Sequence, residues 1–269
     1  MNERAVLYTL SASQASEKIR WSLDAAGIEY AEHRLTPFLH LPRSLLSSRA
    51  VGAHLPLLEA DGESIVDSTR ILEWLAVHRA PFALMPSDPE RRQAVMNAES
   101  RFDHLARHVL RCVYAQLLQQ PALVWRIWTV DAGLAESLAL RAALPMLARM
   151  FASGLNLQPH AVARSRRMIE HGLAELDLAA QERRRYLVGG RLSVADITAA
   201  AMLAPLACPD EHPVYARADY RAAIAPLMQD CASHRGLDWV RHLYRRHRGA
   251  ELGQTVPARP ITRRRRAAA

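Results

Sequence analysis

The period of the apolar positions changes once along the chain. As far as residue 79 they come in short runs broken by polar turns. Beyond residue 89 they recur every three to four residues, the spacing of a helix face. Ala5, Val6, Leu7 and Tyr8 predict a strand over 4–10, and the polar stretch 11–16 reads as a turn. Ile19, Leu23 and Ala26 then share one face of a helix over 17–27, closed by Gly27. A second strand follows over 28–34. The pattern weakens from 36 to 53, with Pro37, Pro42 and a short helical piece at 43–48. Strand, helix and strand in that order imply a parallel pair joined by a right-handed crossover.

Residues 54–79 carry the clearest local pattern. Leu57 and Leu58 form one short strand, Asp61-Gly62 is a two-residue hairpin turn, and Ile65 and Val66 form the return strand. Asp67 or Ser68 then caps a helix whose apolar positions are Ile71, Leu72 and Leu75, with Trp74 beside them. Arg79 suits the negative end of that helix dipole.

The stretch 80–88, with Pro81 and Pro86, reads as a linker, and everything after it reads as helix. A long helix over 89–118 starts with Pro89 in its first turn and carries Phe102, Leu105, Val109, Cys112 and Val113 as its stripe. Arg107, Arg111 and Tyr114 lie along one side of it. A helix over 134–151 is interrupted at Pro145 and, with Arg141 and Arg149, reads as too polar to span a membrane. In a helix over 160–185, Val162, Ile169, Leu173 and Leu176 face inward and Arg183, Arg184 and Arg185 form a solvated end. Ser193 and Asp196 make a capping pair, Leu192 and Ile197 a hydrophobic staple, and an apolar helix runs on to Pro205. Helices over 216–232 and 237–245 complete the body.

Composition narrows the classes. Half of the 269 residues are apolar, enough for two domains with real cores. No apolar run reaches the roughly 18–20 residues of a membrane span, and the N-terminus lacks the pattern of a signal peptide. Cys112, Cys208 and Cys231 are odd in number and widely spaced, which fits a reducing cytoplasm better than a disulfide framework. The histidines show no metal-ligand spacing, so no metal site is expected. The formal charge of +8 is concentrated at one end, where eight arginines and one glutamate follow from Arg245 onward. The rest is near neutral, so the folded body has no electrostatic case for binding nucleic acid. Residues 249–269 have no apolar period and read as a disordered basic tail.

Three stretches together resemble the cytosolic glutathione transferases of bacterial type, over roughly residues 6–245. The first is Ser13-Gln14-Ala15-Ser16 followed by Lys18-Ile19-Arg20, similar to that family's Ser-x-x-Ser/Cys loop and helix start. The second is Leu55-Pro56 before the hairpin, with Asp67-Ser68 after it. The third is Tyr186-Leu187-Val188-Gly189 leading to the Ser193/Asp196 box. The resemblance implies a thioredoxin-like α/β domain over 1–79, a linker over 80–88 and an all-helical domain over 89–248. It also implies a cis peptide at Pro56 and a symmetric homodimer.

The same resemblance implies the chemistry. Ser13 would be the catalytic hydroxyl, with Ser16 as a second hydroxyl and Tyr8 as a rival donor. The loop holds no cysteine, so a serine-type thiol addition or substitution is expected, with glutathione as co-substrate and a small apolar electrophile as its partner. Asp67 and Ser68 would hold the γ-glutamyl end, the Leu55 backbone beside Pro56 the cysteinyl part, and His40 the glycyl carboxylate. Arg111 and Tyr114 would touch the second substrate. The alternative is a non-catalytic binding or interaction module, because Gln14 and Ala15 stand where the family commonly keeps a proline and an aromatic residue. A basic tail that recruits nucleic acid or anionic lipid is a further alternative.

Overall fold

The computed structural model describes residues 5–38 and 55–248. The helical piece expected at 43–48, His40 and the basic tail lie outside the described residues. A four-stranded sheet in the order β2-β1-β3-β4 occupies the N-terminal part. β1 (Ala5–Thr9) pairs in parallel with β2 (Tyr30–Arg34), and α1 (Gln14–Ala25) makes the crossover that a parallel pair needs. β3 (Leu57–Ala60) runs antiparallel to β1 with Leu58 opposite Leu7, and β4 (Glu63–Val66) returns antiparallel to β3. The turn between β3 and β4 has positive φ at both Asp61 (52°) and Gly62 (80°), the backbone that an Asp-Gly pair supplies to a hairpin. The Leu55–Pro56 peptide is cis. α2 (Ser68–His78) follows, and Asp67 is its cap: Oδ1 accepts the N–H groups of Thr69 at 2.9 Å and Arg70 at 3.1 Å.

Residues 11–16 are not all turn. Ser13 caps α1, accepting the Ser16 N–H at 3.2 Å, so the helix begins three residues before the expected start. The apolar period is silent there because Gln14, Ser16, Glu17 and Lys18 are all buried polar residues. Ala26 closes the helix, and Gly27 follows it at φ 67°.

The remainder is helical: α3 (Pro89–Leu117), α4 (Pro121–Trp128), α5 (Leu134–Leu155), α6 (Pro159–Gln181), α7 (Val194–Ala207), α8 (Ala218–Ala223), α9 (Ala225–Asp230) and α10 (Gly236–His247). α5 runs through Pro145 without a break, and the single helix expected over 216–232 is divided at Ile224. α5 is long and apolar enough to cross a membrane by length and composition, yet Leu140, Leu144, Leu147 and Leu155 turn one face of it into the core. Residues 80–88 are packed rather than a free tether: Phe82, Leu84 and Met85 are buried, and the Leu84 carbonyl accepts the Val194 N–H at 3.1 Å.

α7 is the centre of the molecule. Every one of its residues is buried, and it packs against α3, α1 and α10. A helix apolar on all sides is stable only in such a place. Its start is fixed by Asp196, whose carboxylate accepts the Leu187 N–H at 2.7 Å and the Ser193 N–H and hydroxyl at 2.8 Å each.

Buried ions tie α1 to the end of α10. Arg248 reaches Glu17 at 2.9 Å and also pairs with Asp24, while Arg20 reaches Glu17 at 3.0 Å and Glu32 at 3.1 Å. Burial alone would raise the Glu17 carboxyl; the charges of Arg248 and Arg20 prevail and hold it at about 2, below its ordinary 4.5. A lowered folded value gives stability that is present above the unfolded value and lost as pH falls through the folded one. Glu17→Gln should therefore lower the urea midpoint at neutral pH, with the gap to the parent closing between pH 4.5 and about 2. A gap of constant size across that window would contradict the ion-pair account.

Candidate active site

The N-terminus of α1 opens into a cleft of about 240 Å³ between the sheet end and the helical part. Ser13 lines it and is half-buried. Its Oγ accepts the Ser16 N–H, but no described residue accepts the Ser13 hydroxyl proton, which is free to donate to a ligand. Two contacts from the helical part hold this loop. The Tyr215 hydroxyl donates to the Ala12 carbonyl at 2.7 Å, and the Gln14 side-chain amide donates to the Met202 carbonyl on α7. Tyr215 is itself stacked on His212 at 3.9 Å, whose Nδ1 accepts the N–H groups of Val214 and Tyr215. The hydroxyl of residue 13 is thus aimed by its own helix start and by residues some two hundred positions away.

The far wall is aromatic. Tyr114, Trp128, Phe38 and Phe151 pack edge to face and tilted, with Phe38 4.9 Å from Trp128 and Tyr114 4.5 Å from Phe151 between ring centroids. The Tyr114 hydroxyl accepts the Trp128 indole N–H at 3.0 Å. Asp131 is the one charged residue among the described lining residues, so the cleft suits an apolar ligand. Trp128 belongs to α4, which the sequence reading passed over. Its signal was present in Leu123, Val124, Ile127 and Trp128, spaced one and four apart behind Pro121.

A second polar group lies at the N-terminus of α2. Lys18, fully buried on α1, donates to the Ser68 hydroxyl at 3.1 Å and the Thr69 hydroxyl at 3.2 Å, and pairs with Glu99 and, at 2.8 Å, with Asp103 of α3. Because Ser68 Oγ accepts from Lys18, its own proton can point outward. Asp67 is exposed beside it; Oδ1 is taken by the helix, leaving Oδ2 without a hydrogen-bond partner among the described residues. One lysine therefore joins the starts of α1 and α2, and the site presents donors at Ser68 and an acid at Asp67.

The other expected site residues lie elsewhere. Ser16 is fully buried, and its Oγ accepts the Leu10 N–H at 3.2 Å, so it braces the loop from within. Tyr8 points to the opposite face of the sheet from Leu7 and Thr9, where it donates to Glu59 at 3.2 Å and stacks on His33 at 5.2 Å. Burial and the Glu59 charge push its phenol up to about 12. Arg111 is buried and donates to the Leu155 carbonyl at 2.6 Å and the Ser165 hydroxyl at 2.7 Å, clamping α3 to α5 and α6 rather than facing the cleft. Tyr114 does face it. Among the described residues no three histidine, cysteine or acidic side chains cluster as metal ligands.

Residues 7–82 match the family described as glutathione S-transferase, N-terminal domain. The chain is similar to glutathione S-transferase 3 of Gallus gallus, 33% identical over 76 residues, which is 28% of this chain and a third of the length of that curated relative. Over the whole length the fold is similar to a glutathione S-transferase of Methylobacterium radiotolerans in complex with glutathione sulfonate (TM-score 0.59, 23% identity, 97% of this chain and 99% of that one). It is also similar to one of Methylobacillus flagellatus solved with glutathione bound (TM-score 0.59, 19% identity, 94% and 100%).

Proposed function

We propose that the chain, whose residues 7–82 match the family described as glutathione S-transferase, N-terminal domain, and whose fold is similar to such enzymes over its length, transfers glutathione to a small apolar electrophile. The observation that carries this reading is the Ser13 hydroxyl. It stands at a helix N-terminus, lines a cleft with an aromatic wall, and its proton has no acceptor among the described residues. A thiol attacks only after ionising, and its proton leaves to water. The sulfur lone pair then forms the bond to carbon while a leaving group departs with its electrons, or an added carbanion takes up a proton. Ser13 stays protonated and donates to the sulfur; the orphan N–H groups and dipole of α1 add to that stabilisation. The γ-glutamyl carboxylate is assigned to Ser68 and the start of α2, with the Lys18 ammonium beneath, and the ammonium to Asp67. The backbone of Leu55, before Pro56, is assigned to the cysteinyl part, and Tyr114 and Trp128 to the electrophile.

Calorimetric titration with reduced glutathione tests this. Binding between micromolar and low millimolar is expected, weakened about tenfold or more in Asp67→Ala, since a charge-assisted hydrogen bond contributes ~1.5–3 kcal/mol. No binding to the parent chain would leave the non-catalytic module as the better reading. A symmetric homodimer in the cytoplasm belongs to the same proposal. Val77 on α2 and Leu134, Leu138, Met146 and Met150 on α5 are exposed apolar residues that a second copy would cover. Light scattering at the mass of one chain would remove that part.

A further inference from the structure

The near-neutral total of the folded body hides one local excess of positive charge. Where α6 ends and α10 passes, a cleft of about 510 Å³ is lined by Arg183, Arg184 and Arg185 on one side and by Arg235, His242 and Arg245 on the other. Arg235 stands just before α10, His242 and Arg245 lie on it, and Trp239, itself buried, also lines the cleft. Asp238 is the one acid among the described lining residues, and Arg241 already pairs with that carboxylate at 2.6 Å. Arg184 is paired with Glu182. Arg183, Arg185, Arg235 and Arg245 are exposed and make no ion pair among the described residues, although the Arg245 charge also acts on Asp210, so this part of the surface carries an excess of guanidinium groups.

Two observations set this apart from a solvated helix end. First, Arg183 stands at φ 53° just past α6, in the left-handed position that ordinarily falls to glycine. An arginine there costs backbone energy of about 1 kcal/mol. Second, one of these charges acts across the cleft: burial, with Arg246, His242 and Arg185 nearby, holds the His247 imidazole below its ordinary 6.5. Like charges gathered from two separate elements repel, and an anion between them would relieve that repulsion.

We propose that this cleft binds a small oligophosphate, free or carried on a nucleoside. Guanidinium forks match phosphate oxygens two at a time, and four free forks suit a chain of phosphates better than a single carboxylate. The volume falls in the range of small-ligand sites. The lining shares no residue with the Ser13 cleft, so the inference stands or falls apart from the glutathione reading.

The test is calorimetric titration of the full chain, at one fixed salt concentration, with inorganic triphosphate and with adenosine triphosphate. A short single-stranded oligonucleotide serves as competitor. Micromolar triphosphate binding is expected. The double variant Arg185→Glu, Arg235→Glu, checked for unchanged circular dichroism, should weaken it about tenfold or more, because reversing two charges exceeds what screening removes. The tail arginines at 263–266 remain in that variant. Equal binding to parent and variant would assign the anion to the tail and overturn the proposal, as would the absence of binding. Oligonucleotide binding that triphosphate cannot displace would also overturn it. Tighter binding of adenosine triphosphate than of triphosphate would place a nucleoside on the phosphates; equal binding would support the free oligophosphate.

Discussion

Ser13→Ala is expected to lower turnover with glutathione and an activated aryl halide about a hundredfold while the dissociation constant for glutathione stays within about twofold. The split follows from what the hydroxyl does. A donor aimed at developing charge is worth about 10²–10³ in rate, whereas the tripeptide is held mainly by other groups in this account: Asp67, Ser68 and the backbone at Leu55. The substitution removes one oxygen from a half-buried position, and the Ser16 N–H it caps sits in the first turn of α1. A lost cap costs ~1 kcal/mol of helix stability, too little to unfold the domain, so a kinetic loss cannot be put down to misfolding. Steady-state kinetics beside calorimetry reads both quantities. Unchanged turnover would remove Ser13 from the mechanism. Loss of binding in step with turnover would make it a binding residue.

Lys18→Met should cost ~3–5 kcal/mol of stability, measured by urea denaturation, because breaking a buried pair from one side leaves the partner charge uncompensated. The side chain of Lys18 is fully buried and that of Glu99 is 1% exposed, so water cannot take the place of the ammonium. One Glu99 oxygen keeps the Thr69 hydroxyl at 2.9 Å, and the other has no partner among the described residues. The double variant Lys18→Met, Glu99→Gln should recover a large part of the loss, since it removes the stranded charge. A single-variant cost below about 1 kcal/mol would mean that Lys18 is dispensable to the joint between α1, α2 and α3. Because the lysine also lies under Ser68, glutathione affinity should fall in the single variant even where the protein is folded.

The sequence showed most of the frame. A hairpin announced by Asp61-Gly62, a helix capped at Asp67 and the Ser193/Asp196 box can be read because each is local chemistry within a few residues. The first turn of α1 could not be read that way. Its residues are polar, and they are buried because partners far along the chain meet them: Arg248 meets Glu17, Glu99 meets Lys18, and the Met202 carbonyl meets Gln14. Arg111 misled for the same reason. Both it and Tyr114 are buried, but that Arg111 turns to the Leu155 carbonyl and the Ser165 hydroxyl depends on how α5 and α6 pack against α3. Tyr8 failed on alternation, since β1 turns Leu7 and Thr9 inward and Tyr8 to the other face. The basic cleft was hidden because net charge sums over the chain, whereas the field at α10 depends on which arginines fold together.

In the proposed mechanism a hydroxyl at the start of α1 stabilises a glutathione thiolate. The measurement that tests it most directly is a pH titration of glutathione bound to the protein, followed by the ultraviolet absorbance of the thiolate. The bound thiol is expected to ionise at least about one pH unit below the free peptide, as thiols do at helix N-termini, and Ser13→Ala should move it most of the way back. A bound thiol that ionises where the free one does, or a lowered value that Ser13→Ala leaves in place, would contradict it.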